Sequence, residues 1–187
     1  MKVRFIPLLS LLLLLLPALP GGPGISQAEP SFASSNCMIE YSPFYQKLLK
    51  AGVFDLTTAP DAEKTEPMKL LFIKAHLFHY ASETKSQTEK WQSAEETTRL
   101  FSGDCADKAI WLYTHMRKNG YQNVSLVIGR YSPSSRVLHM WLTYEETPGE
   151  TLLLDPTMQR KPWKVSDFSK RYYKPVYMLS GDKCVAF

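Results

Sequence analysis

The sequence predicts an α+β fold in which helices come first and an antiparallel sheet follows. Two observations support this prediction. As far as Lys118, apolar residues recur mainly at positions i, i+3 and i+4, which is the spacing of one helix face. After Gly120 come three strand-like runs separated by turn residues, the first of them rich in valine, leucine and isoleucine, as expected for consecutive hairpins.

The first 28 residues have the features of an export signal. Lys2 and Arg4 precede an apolar run over residues 5–16, which is shorter than the roughly 20 residues needed to cross a bilayer. Ser26-Gln27-Ala28 fits the small-x-small rule of signal peptidase. We expect a signal peptide over residues 1–28 and a periplasmic or secreted protein, with an uncleaved N-terminal anchor as the alternative.

The remaining chain, residues 29–187, has the length of a single domain, with a core expected over about residues 67–180. Its formal charge falls from +4 to +2, because residues 1–28 carry two basic residues and no acidic one. So small a net charge favours neither nucleic acid nor an anionic membrane as a partner. No second long apolar run follows, so we expect no stable membrane insertion after cleavage.

Three cysteines in an exported protein leave one without an intramolecular partner. Cys37 lies near the start of the mature chain and Cys184 near its end, and chain termini often lie close together. We predict a Cys37–Cys184 disulfide, which leaves Cys105 as the lone thiol. Two unrelated surface thiols are the alternative. The scattered histidines and the lack of a Cys-x-x-Cys pair argue against a metal site.

Helical spacing predicts four helices before Gly120, and the fourth of these is the best defined. Asp104 is a strong N-cap residue for it, and Asp107 follows three positions later, as in a capping box. Gly120 would end this helix. His76 and His79 stand three apart in the second helix, where half-buried helix histidines explain them better than a metal pair does. The predicted helices cover residues 41–51, 67–82, 95–101 and 105–118.

The predicted sheet is a meander of three strands with a further strand near the C-terminus. Alternation places His139 and Trp141 on one face of the second strand, and Met140 and Leu142 on the other. The face with Met140 belongs to the core. We expect the cysteine helix to pack on the opposite face, with His139 towards its N-terminal end. The predicted strands cover residues 123–131, 136–145, 151–155 and 173–179, with a short helix over 164–171.

Cys105 falls at the predicted first turn of a helix, which is a suitable setting for a nucleophile. The positive end of the helix dipole and the backbone N–H groups favour the thiolate form. The same N–H groups can stabilise an oxyanion beside the sulfur. The neighbouring carboxylate of Asp104 acts against the thiolate. Taken alone, an inert buried cysteine is the commoner explanation of such a residue.

His139 and Asp155 supply the other two groups that a catalytic thiol needs. Asp155 ends the third strand, and its carboxylate can accept a hydrogen bond from the imidazole if this strand pairs with that of His139. Taken separately, they could be a satisfied strand histidine and a turn aspartate. Together with Cys105 they form a Cys-His-Asp group, which indicates a thiol hydrolase.

These three residues lie in motifs that resemble the transglutaminase-like superfamily in order and spacing. The nearest relatives by this resemblance are the bacterial transglutaminase-like cysteine peptidases, which often carry Trp-x-x-Pro-x-Glu-Thr before the cysteine. Here residues 91–97 read Trp-Gln-Ser-Ala-Glu-Glu-Thr, with Ala94 in the place of proline. The resemblance covers roughly residues 91–157. The other motifs are Gly103-Asp104-Cys105-x-Asp107-x-Ala109, His139-x-Trp141 and Leu154-Asp155-Pro156-Thr157.

The resemblance implies a papain-like core in which the cysteine helix packs on an antiparallel sheet. It implies that Cys105 is the nucleophile, His139 the general base and acid, and Asp155 the group that orients the imidazole. The substrate would be a protein or peptide. The acyl-enzyme would pass to water in a peptidase or amidase, and to an amine in an acyl transferase. The candidates for an oxyanion or substrate site are Trp91, Asp104 and Trp141.

Two departures from the family pattern limit what the resemblance implies. The peptidases usually have glutamate directly after the cysteine, and their calcium-dependent members use acids that flank it, whereas this chain has Ala106. We expect no cofactor, and Asp104 and Asp107 are only weak candidates for calcium. The ending at Asp155-Pro156-Thr157 is closer to the wider superfamily, so the peptidases' substrate is not carried over. A non-catalytic domain that binds an envelope partner is the remaining alternative.

Overall fold

The structure, a computed structural model, describes residues 35–37, 44–54, 66–82, 90–167, 172–181 and 183–187. The predicted signal peptide, residues 1–28, lies outside them. The described helices are α1 (Tyr45–Lys50), α2 (Met68–Leu77), α3 (Ala94–Leu100) and α4 (Cys105–Lys118), with a 3-10 turn at Val165–Asp167. The described strands are β1 (Ser35–Cys37), β2 (His79–Tyr80), β3 (Ser102–Gly103), β4 (Val124–Arg130), β5 (His139–Thr147), β6 (Glu150–Leu154), β7 (Trp163–Lys164), β8 (Lys174–Ser180) and β9 (Lys183–Ala186).

Seven of these strands form one antiparallel sheet in the order β1-β9-β8-β4-β5-β6-β7. The predicted meander β4-β5-β6 lies inside this sheet, with Gly149 in the left-handed region (φ +82°) at the turn between β5 and β6. β2 and β3 form a separate parallel pair. The prediction of an α+β fold with an antiparallel sheet is confirmed.

Helix α4 begins at Cys105 and ends at Lys118, as predicted. The side chain of Asp104 accepts hydrogen bonds from the amides of Ala106 and Asp107, and the Asp107 side chain accepts one from the Asp104 amide. This is the predicted capping box, which satisfies amides that the first helical turn would otherwise leave without acceptors. The cap fixes where the helix starts, and therefore where Cys105 lies.

The sheet buries both of its faces, and the prediction of which face meets α4 is wrong. The side chains of Met140 and Leu142 lie in one core cluster with those of Ile110 and Leu112 from α4. Trp141 belongs to a second, smaller cluster. A period of two separates the faces of a strand, but it cannot tell which of two buried faces receives the helix. The second cluster consists of Val127, Trp141 and Leu153, with Tyr173 and Met178 packed against it.

Helix α2 ends at Leu77, earlier than the predicted Ser82. The next residues leave the helix because the amides of His79 and Ala81 donate to the carbonyl groups of Phe101 and Gly103, at 3.1 Å in both cases. These long-range bonds form the β2–β3 pair and override the helical pattern. His79 is therefore a strand residue and does not share a helix face with His76.

Two further predictions about local structure need correction. The short helix predicted over residues 164–171 is a single 3-10 turn at Val165–Asp167, and residues 168–171 lie outside the described part. β5 begins at His139 rather than at Arg136, and Val137 before it is 70% exposed. His139 is therefore the first residue of its strand and stands at the end of the sheet ladder.

Candidate active site

The structure brings Cys105, His139 and Asp155 together from three different elements. Cys105 is the first residue of α4, His139 is the first of β5, and Asp155 directly follows β6. Leu154 pairs with Leu142, so their side chains share one face of the sheet. The side chain of the next residue, Asp155, points to the other face, which is the face that carries His139. His139 Nε2 lies 2.6 Å from Asp155 Oδ2. The predicted imidazole–carboxylate contact is present.

The Asp155 carboxylate is fully buried and uses both oxygens. Oδ1 accepts from the amides of Thr157 and Met158, at 2.9 and 3.0 Å. Oδ2 accepts from His139 Nε2 and, at 3.0 Å, from the Tyr173 hydroxyl. These two hydrogen bonds hold Oδ1 against the turn after β6, because an aspartate side chain readily accepts hydrogen bonds from the backbone amides two and three residues later. The other oxygen is left to orient the imidazole.

The His139 ring is buried and held on several sides. Burial alone would lower its pKa, but hydrogen bonds to Asp155 and Cys105 and the negative charge of both groups outweigh it and raise the pKa to about 9. The ring stacks on Trp141 with a centroid distance of 6.1 Å, and Tyr131 meets it edge-on at 5.7 Å. Since Nε2 is committed to Asp155, Nδ1 is the nitrogen left for the Cys105 thiol.

The N-terminus of α4 supplies a donor beside the sulfur. The amides of Ala106 and Asp107 are occupied by the Asp104 carboxylate, at 2.7 and 3.1 Å. Within the described residues the amide of Cys105 itself has no acceptor. This N–H and the positive end of the helix dipole are the groups that could stabilise negative charge forming next to the thiol.

The other candidates from the sequence occupy supporting positions. Asp104 acts as the helix cap described above. Trp91 is buried and stacks on Phe44 with a centroid distance of 5.7 Å. Trp141 is only 1% exposed and lies beneath the ring of His139. Neither tryptophan presents a broad surface to a substrate. Asp107 is buried, and its carboxylate accepts from the amides of Gln92 and Asp104 at 2.8 and 3.0 Å.

Sequence reasoning missed a buried lysine close to the site. Lys108 Nζ donates to the carbonyl of His76 at 3.2 Å, and His76 Nδ1 in turn bonds to the carbonyl of Pro156 at 3.0 Å. Burial lowers the pKa of Lys108, and the negative charge of Asp155 acts in the other direction. A signal was present in the sequence, because Lys108 stands one helical turn after Cys105 and so shares its face.

Two tyrosines near the site were also missed. Tyr80, in β2, pairs with Gly103 and is 60% exposed. Burial, with Cys105 and Asp104 nearby, raises its pKa. Tyr173 reaches Asp155 from the C-terminal part of the chain. No local pattern marks either residue, since both contacts depend on pairings between distant segments.

The described residues contain no group of three or more His, Cys, Asp or Glu side chains placed to hold a metal ion. In the same part of the chain, no helix is long and apolar enough to cross a membrane.

No family model matches the sequence, and no curated protein matches it. The structure is similar to solved structures of LapG from Legionella pneumophila. The calcium-bound structure superposes with a TM-score of 0.52 at 24% identity, over 78% of this chain and 80% of that chain. The EGTA-treated structure gives a TM-score of 0.51 at 24% identity, over 78% of each chain. The likeness shows that the chain has a papain-like fold, as predicted.

Proposed function

We propose that the protein is an exported thiol hydrolase, a cysteine peptidase or amidase that acts through a Cys105-His139-Asp155 triad. The observation that carries the proposal is the buried 2.6 Å contact between His139 and Asp155, with Cys105 interacting with the same imidazole from the start of α4. The papain-like fold, which the chain shares with LapG, is compatible with this chemistry. A protein or peptide substrate fits this chemistry.

Before acylation the proton of the Cys105 thiol already resides on His139 Nδ1, because an imidazole whose pKa is about 9 is protonated at neutral pH. The thiolate then attacks the carbonyl carbon of a peptide or carboxamide, and the π electrons of that bond move to the oxygen. The Cys105 amide donates to the resulting oxyanion. The C–N bond breaks as His139 returns its proton to the leaving nitrogen, which departs as an amine or as ammonia. A thioester to Cys105 remains.

Deacylation reverses these roles. His139 takes a proton from water, the hydroxide attacks the thioester carbon, and the C–S bond breaks with the sulfur recovering a proton from the imidazole. Asp155 holds the imidazole in the tautomer with the proton on Nε2 and stabilises the imidazolium of each half-reaction.

The test is hydrolysis of a set of unstructured peptides and a denatured protein by the mature chain and by Cys105→Ala. We expect cleavage by the wild type and none above background by the variant, with both proteins equally folded. Equal cleavage by the two would refute the proposed chemistry. Adding a primary amine to the same assay separates two outcomes: release of free acid indicates a hydrolase, and incorporation of the amine indicates an acyl transferase.

We propose that the reaction does not require calcium. LapG has been solved in calcium-bound and EGTA-treated states. In this chain the residues around the cysteine do not fit a calcium site. Both Asp107 oxygens and one Asp104 oxygen accept backbone amides, and the position after Cys105 is the buried Ala106. Activity and melting temperature should be the same in EGTA and in calcium. Inactivation by EGTA that calcium reverses would contradict this proposal.

We propose that residues 1–28 direct export and are removed, and that Cys37 and Cys184 then form a disulfide. The register of β1 and β9 supports the disulfide, because it places Cys37 directly opposite Cys184. The mature protein from the periplasmic fraction should begin after Ala28, and non-reducing peptide mapping should recover the two cysteines in one linked pair. An intact N-terminus would contradict removal of residues 1–28, and two separate thiols would contradict the disulfide.

A further inference from the structure

We propose that Tyr173 is a positioning residue of the triad, whose hydroxyl fixes the Asp155 oxygen that holds His139 and limits how strongly that oxygen attracts the imidazolium. This inference rests on the proposed function of the same site. It adds a fourth residue that acts on the reaction through Asp155 and does not touch the substrate.

The contact is made to the oxygen that matters for the chemistry. Tyr173 donates to Asp155 Oδ2 at 3.0 Å, and His139 Nε2 lies 2.6 Å from the same atom. The other oxygen is occupied by two backbone amides. Among the described residues, Tyr173 is therefore the one side chain other than His139 that hydrogen-bonds to this carboxylate. Any rotation of the carboxylate away from the imidazole would break the Tyr173 bond as well.

The acceptor fixes the direction of the Tyr173 hydrogen bond, because a carboxylate oxygen accepts and the hydroxyl must give its proton to Asp155. Gln159 Nε2 lies 3.4 Å from the Tyr173 hydroxyl oxygen and donates to it. The backbone N–H of Gln159 also donates to the backbone carbonyl of Asp155 at 3.0 Å. One turn of chain thus holds both the carboxylate and the phenol that bonds to it.

The backbone of Tyr173 supports a specific role for its side chain. Its φ of +50° lies in the left-handed region, which disfavours residues with a β-carbon. Such conformations persist where the surroundings determine them, and they concentrate at functional sites. Here the amide donates to the Tyr131 carbonyl at 3.1 Å, and the ring meets Trp141 edge-on at 5.3 Å. Trp141 also stacks on His139, so the Trp141 ring packs against both side chains that hydrogen-bond to the Asp155 carboxylate.

The charged groups around Asp155 show what Tyr173 contributes. His139 faces it from β5, while α4 contributes Lys108, whose positive charge acts on Asp155, and Cys105, which acts on His139. From α2, His76 bonds to the Pro156 carbonyl and not to the carboxylate. Among these side chains, Tyr173 is the one that donates a hydrogen bond to Asp155 without carrying a charge. Burial and the negative charge of Asp155 raise its pKa, so it remains protonated at neutral pH.

Loss of the hydroxyl should make His139 a stronger base but a poorer catalyst. Without the Tyr173 hydrogen bond, Asp155 Oδ2 carries more of its negative charge towards His139 and stabilises the imidazolium further, above its present pKa of about 9. The imidazolium then gives up its proton less readily to the leaving group, and the carboxylate has one restraint fewer. Residues that orient the ligands of a metal site typically cost 10- to 100-fold when changed, and we expect an effect at the lower end of that range for this carboxylate.

The experiment compares Tyr173→Phe with Tyr177→Phe. The first keeps the ring on Trp141 and removes only the hydroxyl. The second makes the same change on β8 at a ring that packs against Phe44 in the main core. We expect Tyr173→Phe to lower kcat about tenfold with KM unchanged within about twofold, while Tyr177→Phe retains wild-type kinetics. Melting temperatures would show that both variants are folded.

A readout independent of substrate is the pKa of His139 from NMR titration, with its signal assigned by loss in His139→Gln. Tyr173→Phe should raise this pKa by roughly 0.5 to 1 unit, and Tyr177→Phe should leave it unchanged. An unchanged pKa together with unchanged kcat would overturn the inference. If the wild type hydrolyses no substrate, the proposed function fails, whereas the titration still tests whether Tyr173 acts on His139.

Discussion

Asp107 and Asp155 are both almost completely buried carboxylates, at 3% and 0% exposure, yet they use their oxygens differently. Asp107 accepts backbone amides with both oxygens and so holds together the loop before α4. Asp155 accepts backbone amides with one oxygen only and directs the other at His139. We therefore propose that the first carboxylate serves mainly the fold and that the second couples the fold to the proposed chemistry. Replacing each by asparagine should separate these two roles.

The largest effect is expected for Asp155→Asn. The asparagine oxygen can still accept from the amides of Thr157 and Met158, but its –NH₂ group would then face His139. The imidazole would have to accept at Nε2 and carry its proton on Nδ1, where it could not take the proton of Cys105. We expect kcat to fall about 10³- to 10⁴-fold in peptide hydrolysis, with the protein still folded by circular dichroism. A loss below about tenfold would argue against the triad.

The second prediction concerns the pH dependence that Asp155 gives to His139. A group whose pKa is higher in the folded protein stabilises the fold while it is protonated. The contribution of His139 is therefore complete below about pH 6.5 and is lost as the pH rises through about 9. Hydrolysis should also decline above about pH 9, where the imidazolium is lost.

Denaturant unfolding at a series of pH values would measure this effect. The free energy of unfolding of the wild type should decrease between pH 6.5 and 9 by more than that of Asp155→Asn, because the variant lacks the carboxylate that raises the pKa. Parallel curves for the two proteins would show that the His139–Asp155 pair does not carry the predicted coupling.

A smaller effect, on stability rather than on chemistry, is expected for Asp107→Asn. One of its two amide donors would face an –NH₂ group and lose its acceptor, which should lower the free energy of unfolding by about 1 to 3 kcal/mol. Activity per folded molecule should stay near the wild-type level. A kcat loss as large as that of Asp155→Asn in a stable protein would mean that the two carboxylates do not differ in the way proposed.

The smallest effect is expected for Asp104→Ala. Removing an N-cap side chain costs about 1 kcal/mol of stability, and Asp104→Asn, which can still cap, should restore most of it. Thermal unfolding of both variants measures this difference. Equal destabilisation by alanine and asparagine would show that the Asp104 charge, and not its capping geometry, is what matters.

The sequence predicted those parts of the site that depend on neighbouring residues. The capping box of Asp104 and Asp107 and the first residue of α4 were correct, because each contact lies within one helical turn. The approach of His139 to Asp155 also followed from the sequence, since consecutive strands in a meander pair with one another. The resemblance to transglutaminase-like peptidases predicted the papain-like fold.

The parts that failed depend on packing between distant segments. The end of α2 is set by bonds from His79 and Ala81 to residues more than 20 positions away, which no helical pattern contains. Tyr173 contacts Asp155 from a left-handed backbone conformation, which is rare for a tyrosine and not predictable from its type. The face of β5 that meets α4 could not be chosen, because both faces are buried over the first four residues of the strand.

The most direct test of the central claim is the rate at which iodoacetamide alkylates Cys105 at pH 7 in the wild type and in His139→Gln, followed by peptide mass spectrometry. If His139 holds the proton of Cys105, the wild type should react roughly tenfold faster or more, because the thiolate is the reactive form. Equal rates in two folded proteins, or no reaction of Cys105 in either, would contradict the proposed catalytic thiol.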